Sequence, residues 1–175
     1  MHERKIIYRN IASPSGRMIA GATDKGICLL MWQDEQRAER IIDGVKKNHQ
    51  LPAEPGDSPY LDKLERQLAE YFEGNRQEFD IPLDFAGTDF ENSTWKQLLK
   101  IPYGQTRSYG QIAAKIGEPN ASRAIGRANG ANPIAVVIPC HRVIRSGGDL
   151  GGYGGGIERK KWLLELESSQ MAVFK

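Results

Sequence analysis

The chain has 175 residues and a net charge of +2, with 39% apolar and 26% charged residues, which is long enough to bury a sizeable core as one domain or two small ones. The charged amino terminus Met1-His2-Glu3-Arg4-Lys5 lacks a signal-peptide core, and no apolar run approaches the roughly 18 residues of a membrane span, so the expected setting is the cytosol, or the nucleus in an organism that has one. The two cysteines, Cys28 and Cys140, lie far apart in differently patterned regions and are expected to be free thiols.

Lys5 to Arg9 alternates weakly, and Met18–Thr23 with Gly26–Trp32 forms two strand-like runs around Asp24-Lys25, the pattern of a hairpin. A small antiparallel sheet is therefore expected to open the chain. Asp34 suits the cap of a helix running to about Lys47, with Ala38, Ile41, Ile42 and Val45 at helical spacing. Gln50 to Asp57, rich in Pro, Gly and Asp, reads as a loop. Ser58-Pro59 is a helix start, followed by an apolar stripe of Leu61, Leu64, Leu68, Tyr71 and Phe72 up to Gly74; Phe79, Ile81 and Leu83 read as one more strand.

From Ala86 the pattern changes to short helices. Thr88 with Glu91 fits a capping box ahead of Phe90, Trp95, Leu98 and Leu99, and Ser108 with Gln111 fits another ahead of Ile112, Ala113 and Ile116. Gly117-Glu118-Pro119-Asn120 breaks that helix, and Ala121 to Gly130 forms a third, packed with small residues. Short helix, turn and short helix make a helix-turn-helix outline. Charge agrees: residues 88–175 carry 12 Lys and Arg against 7 Asp and Glu, whereas residues 1–87 carry 12 against 15. A polyanion partner is expected on the carboxy half.

Ile134-Ala135-Val136-Val137-Ile138 reads as a buried strand that delivers Cys140 into Pro139-Cys140-His141-Arg142-Val143. A thiolate is the nucleophilic form of cysteine, and nearby bases or cations raise its fraction at neutral pH. On an extended backbone adjacent side chains point apart, so His141 would reach the sulfur only through a water or a turn. A buried structural cysteine is the plainer alternative for the residue taken alone. After Cys140, Gly151-Gly152-Tyr153-Gly154-Gly155-Gly156 lacks the Lys-Ser/Thr ending of a phosphate loop and is expected to wall a flat ligand, with Tyr153 either stacking on it or pinning the loop. A final amphipathic helix holds Trp162, Leu163, Leu164 and Leu166. Cys28, His2 and His49 show no ligand spacing, so no catalytic metal is expected.

Arg123 projects from a helix face made of Ala121, Ser122, Ala124, Gly126 and Ala128. Small residues permit close approach in a DNA groove, and an inserted side chain can replace an unstacked base. A solvated arginine on a tightly packed helix is the alternative.

Ile138-Pro139-Cys140-His141-Arg142-Val143 resembles the active-site motif of the O6-alkylguanine-DNA alkyltransferases. The match runs through Tyr103-Gly104, Ser108-Tyr109, Ser122-Arg123-Ala124, Asn132-Pro133 and Tyr153 to Trp162-Leu163-Leu164, covering residues 88–175 strongly and residues 1–87 only in layout. The resemblance implies an α/β protein with two domains. Residues 1–87 would form an amino-terminal sheet-and-helix domain, and residues 88–175 a winged helix-turn-helix-like domain for DNA binding and alkyl transfer. It implies direct reversal of damage, the alkyl group of O6-alkylguanine, and of O4-alkylthymine as a second substrate, passing to Cys140 in a single turnover.

Under the resemblance, His141 is the base through a water, Glu167 orients it, Asn132 holds the turn before the active-site segment, and Tyr109 contacts the flipped guanine and donates a proton. Arg123 fills the vacated stack, with Ser122, Ala124, Gly126 and Arg127 along the DNA; Tyr109, Val143, Tyr153 and Gly154 form the base pocket, with main-chain groups of Cys140, Val143 and Gly154 on the base. Gly154 stands where some relatives carry serine, and Ala135 where some carry a pocket-lining proline. The implied partner is double-stranded DNA containing alkylated guanine, bound by a monomer that can act cooperatively along it. A lesion-binding protein without transfer is a rival reading that Cys140 opposes; a Cys-His hydrolase is another, and it gives Arg123 no role.

Overall fold

The structure is a computed structural model that describes residues 3–33 and 35–173. They fall into two compact units, Met1–Ala86 and Gly87–Lys175. His2 and Asp34, the expected helix cap, lie outside the described residues.

In the first unit, β1 (Ile6–Ile11), β2 (Met18–Ala22) and β3 (Ile27–Trp32) form an antiparallel meander. Every residue of β2 and β3 is buried, which is why both read as near-continuous apolar runs rather than clean alternation. Cover comes from α1 (Glu35–His49), which sets Ala38 and Val45 against Ile6, Ile19, Leu29 and Met31, and from α2 (Pro59–Phe72), which packs on β2. Ser58 caps α2, its side chain accepting from the Tyr60 N–H, with Pro59 at the first position where a missing donor is harmless.

Two expectations in this unit need correction. The segment read as a loop contains β4 (Ala53–Pro55), which adds to the meander as a parallel edge strand beside β1. A proline at its end hides the strand signal, and an edge is where a sheet tolerates a missing donor. Conversely, Phe79–Leu83 is not a strand: only Leu83 bridges to Ile27. Pro82 offers Ile27 a carbonyl but no N–H, so the ladder does not propagate. Gly26 is required at this crossing, because any Cβ there would collide with the Pro82 carbonyl.

The second unit holds α3 (Asp89–Leu98), β5 (Arg107–Ser108), α4 (Tyr109–Lys115), α5 (Ser122–Gly130), β6 (Val143–Ile144) and α6 (Ile157–Val173). Both capping boxes form, Thr88 with Glu91 and Ser108 with Gln111. Helix α5 packs on α3 and on α4, giving the helix-turn-helix pair a third supporting helix. The buried Trp95 indole donates to the Ala128 carbonyl at 2.9 Å and so holds the carboxy end of α5.

The buried strand expected over Ile134–Ile138 is absent; the segment is a compact coil. Val137 N–H bonds to the Ala135 carbonyl at 2.8 Å around Val136, whose φ is +71°, and Cys140 N–H bonds to the Ile138 carbonyl at 2.8 Å around Pro139 at φ −81°, ψ 64°. These are consecutive γ-turns, the first of the strained kind that a β-branched residue seldom adopts. Apolar runs signal burial, and here burial is satisfied by turns whose backbone bonds close locally. No helix of the described residues is long and apolar enough to cross a membrane.

Candidate functional site

The coil is braced by one side chain. Asn132, buried at the end of α5, donates from Nδ2 to the Ile138 carbonyl at 2.8 Å and accepts at Oδ1 from the Ile134 N–H at 3.0 Å. Both ends of the amide are used, which fixes the segment that leads to Cys140. Cys140 then opens a single 3-10 turn, Cys140–Arg142, whose carbonyl accepts from the Val143 N–H. The backbone at Cys140-His141 is thus a turn, one of the two arrangements the sequence left open.

Cys140 is 6% exposed and His141 is fully buried. The His141 Nε2 lies 2.8 Å from Glu167 Oε1. Glu167 also accepts from Arg142, at 2.7 Å from one terminal nitrogen and at 3.0 Å from Nε, while the other terminal nitrogen donates to the Ile101 carbonyl at 2.7 Å. Arg142 lies over the Tyr103 ring at 5.7 Å. Burial alone would raise the Glu167 carboxyl, but the His141 hydrogen bond and the Arg142 guanidinium outweigh it and hold it at about 2. Burial pulls the His141 imidazolium below its ordinary 6.5, against the opposing pull of Glu167. At neutral pH the ring is therefore neutral, and the positive charge facing Glu167 is that of Arg142. Since an ionised carboxylate only accepts, the ring proton is on Nε2. Nδ1, buried and without a hydrogen-bond partner among the described residues, then carries a lone pair: a base one residue from the thiol.

Tyr109 begins α4 directly after its Ser108 cap. Burial raises its phenol above 10, the Cys140 charge adds to the rise and Arg145 opposes it, so the hydroxyl stays protonated and within the field of Cys140. Gly151, at φ +72°, faces that ring, and a Cβ there would lie 2.9 Å from the Tyr109 hydroxyl. Here the glycine both supplies the left-handed turn and makes room for the phenol. Val143 is buried, while Tyr153 and Gly154 lie half-buried in the loop before α6.

Sequence reasoning missed Lys160. It is fully buried, and its ammonium donates to the carbonyls of Val143 at 2.6 Å, Gly152 at 3.2 Å and Leu150. It ties the glycine-rich loop to the residues after Cys140. Burial pulls the amine down to about 8, with Cys140 opposing and Arg145 assisting. Arg142 as the holder of Glu167 was also missed. Lys160, Leu163 and Glu167 share the buried face of α6, and two charges on that face break the apolar periodicity that would have announced it.

On α5, Arg123 and Arg127 are exposed one turn apart, while Ser122, Ala124 and Gly126 are half-buried. Neither arginine has a side-chain partner among the described residues. The structure thus gathers Cys140, His141, Glu167, Asn132, Tyr109 and Val143 around one turn, and sets the α5 residues on a separate cationic face. Among the described residues, no group of three or more His, Cys, Asp or Glu side chains could hold a metal ion.

A buried thiol beside a neutral imidazole and a protonated phenol, in one unit with a helix-turn-helix pair that exposes two guanidiniums, has the makings of a DNA-binding protein with a reactive cysteine. Two family profiles match: "6-O-methylguanine DNA methyltransferase, DNA binding domain" over residues 89–169 and "6-O-methylguanine DNA methyltransferase, ribonuclease-like domain" over residues 6–85. The chain is 49% identical over 166 residues to the methylated-DNA–protein-cysteine methyltransferase of Mycobacterium tuberculosis, covering 94% of each. The crystal structure of the M. tuberculosis O6-methylguanine methyltransferase superposes with a TM-score of 0.79 at 43% identity, over 97% of this chain and 99% of that one. The M. tuberculosis protein in complex with DNA superposes at 0.80 and 43%, with the same coverage. The chain belongs to the 6-O-methylguanine DNA methyltransferase family.

Proposed function

We propose that this protein reverses O6-alkylguanine damage in double-stranded DNA by moving the alkyl group onto Cys140. The observation that carries the reading is the neutral His141 base, its proton fixed on Nε2 by Glu167, beside a thiol at the end of a helix-turn-helix unit.

Arg123 and Arg127 bring α5 onto the duplex, and Arg123 takes the place of the extruded nucleotide in the base stack. A base inside the helix would keep its O6 substituent away from a residue as buried as Cys140, so extrusion is part of the reaction. His141 Nδ1 takes the thiol proton through a water, and the resulting imidazolium is stabilised by Glu167. The thiolate attacks the sp3 carbon of the alkyl group in line. The C–S bond forms as the C–O6 bond breaks, and its electron pair passes to guanine, which receives a proton from the Tyr109 phenol. The phenol regains its proton from solvent, and His141 returns its own. Tyr153 and Gly154 line the base pocket with Val143.

The thioether is neither hydrolysed nor exchanged, so each molecule acts once and no cofactor is needed. O4-alkylthymine is a second substrate, the protein acts as a monomer, and its setting is the cytoplasm. Residues 88–175 carry the reaction, with residues 1–87 as a separate domain. Nucleoside chromatography of a digested O6-methylguanine duplex tests the reading. Each mole of protein should convert one mole of O6-methyldeoxyguanosine to deoxyguanosine. Continued turnover, or abasic sites in place of deoxyguanosine, would overturn it.

A further inference from the structure

Asn129 sits on α5 two residues beyond the exposed Arg127 and is itself buried, at 6% exposure. Its Nδ2 donates to the Cys140 carbonyl at 3.2 Å. Its Oδ1 is buried with no hydrogen-bond partner among the described residues. An amide satisfied at one end only is a poor choice for stability, because the buried acceptor carries its desolvation cost unrelieved. What the residue does accomplish is specific. The Cys140 carbonyl takes one donor from the Val143 N–H and a second from Asn129, which uses both of its lone pairs. The Cys140 carbonyl is thereby tied both to the turn that follows it and to α5. The end of α5 is fixed as well, through the Trp95 indole on the Ala128 carbonyl.

We propose that Asn129 is a positioning residue: it fastens the arginine-bearing helix α5 to the Cys140 carbonyl, so that a duplex seated on α5 aims the acceptor thiol. The inference rests on the reading of this chain as an alkyl acceptor acting on duplex DNA.

The test compares the parent protein with Asn129→Ala, which removes the amide, and Asn129→Leu, which keeps its shape without the donor. Three quantities are measured: single-turnover transfer from saturating O6-methylguanine duplex, duplex affinity, and the rate at which iodoacetamide labels Cys140 without DNA. Loss of one neutral hydrogen bond predicts a fall of about three- to tenfold in transfer at saturation. Affinity and iodoacetamide labelling should stay within about twofold on the same argument. Transfer that is unchanged in both variants overturns the proposal. So does transfer that falls in step with iodoacetamide labelling, which would make Asn129 a packing residue. A parent that transfers nothing fails at the functional reading itself, whereas a transferring parent with unaffected variants fails only at Asn129.

Discussion

Replacing Glu167 with Gln removes the charge that Arg142 and His141 share, and its cost can be worked from the structure. The carboxyl is held at about 2 against an ordinary 4.5, a difference that corresponds to about 3 kcal/mol at 1.36 kcal/mol per unit. An independent route gives the same size: breaking a buried ion pair by removing one partner costs about 3–5 kcal/mol, because the other charge stays buried without compensation. The sign follows from the depressed folded value. The unfolded chain takes up the proton first as pH falls, so the contribution of Glu167 is complete above about pH 5 and is lost between about 5 and 2. Urea unfolding at pH 7, 5 and 3 should therefore show parent and Glu167→Gln about 3 kcal/mol apart at pH 7, converging as the solution is acidified. Transfer should fall by about 100-fold or more, because the new amide can offer Nε2 an N–H and trap the ring proton on Nδ1, where a base is needed. A gap below about 1 kcal/mol, or one that does not change with pH, would refute the reasoning.

Tyr109→Phe should slow transfer by about 10- to 100-fold with duplex affinity unchanged in a gel-shift titration, and an unchanged rate would remove the phenol from proton donation. Because burial holds His141 below its ordinary 6.5, the acid limb of the pH–rate profile for transfer should lie below pH 6.5; a limb at or above that value would contradict a neutral ring. Arg123→Ala should weaken repair of duplex more than reaction with the free base O6-methylguanine, and equal losses on both would remove Arg123 from the base stack. Lys160→Met leaves the carbonyls of Val143, Leu150 and Gly152 without their donor, so amide exchange over residues 145–156 should quicken by about tenfold, and exchange at the parent rate would show that the loop holds itself.

Local chemistry was the legible part of this sequence. Ser58-Pro59, Thr88 with Glu91, and Ser108 with Gln111 start helices because the cap and its partner are three or fewer residues apart. The apolar run Ile134–Ile138 reports burial and not backbone shape; the local turn bonds that coil it, and the Asn132 amide that braces it, leave no mark in the residue pattern. Phe79–Leu83 and Ala53–Pro55 were exchanged because strand pairing depends on which distant segment offers a donor. Cys140, His141, Asn132, Tyr109 and Glu167 were assigned through the family motif, and the structure sets them around one turn. Lys160 and Asn129 escaped because a charged or amide residue on a buried face looks, in sequence, like one on a solvated face. Only their carbonyl partners, Asn129 on Cys140 and Lys160 on Val143, distinguish them.

The central claim is that Cys140 itself becomes the alkyl carrier, and the protein side of the reaction tests it most directly. The chain is incubated with excess duplex containing O6-methylguanine, and its intact mass is read, followed by the mass of the peptide that contains Cys140. The account predicts a gain of one methyl group per molecule, located on Cys140 and absent from Cys140→Ala. Bound duplex with no gain in mass, or a methyl group carried on any other residue, would contradict it.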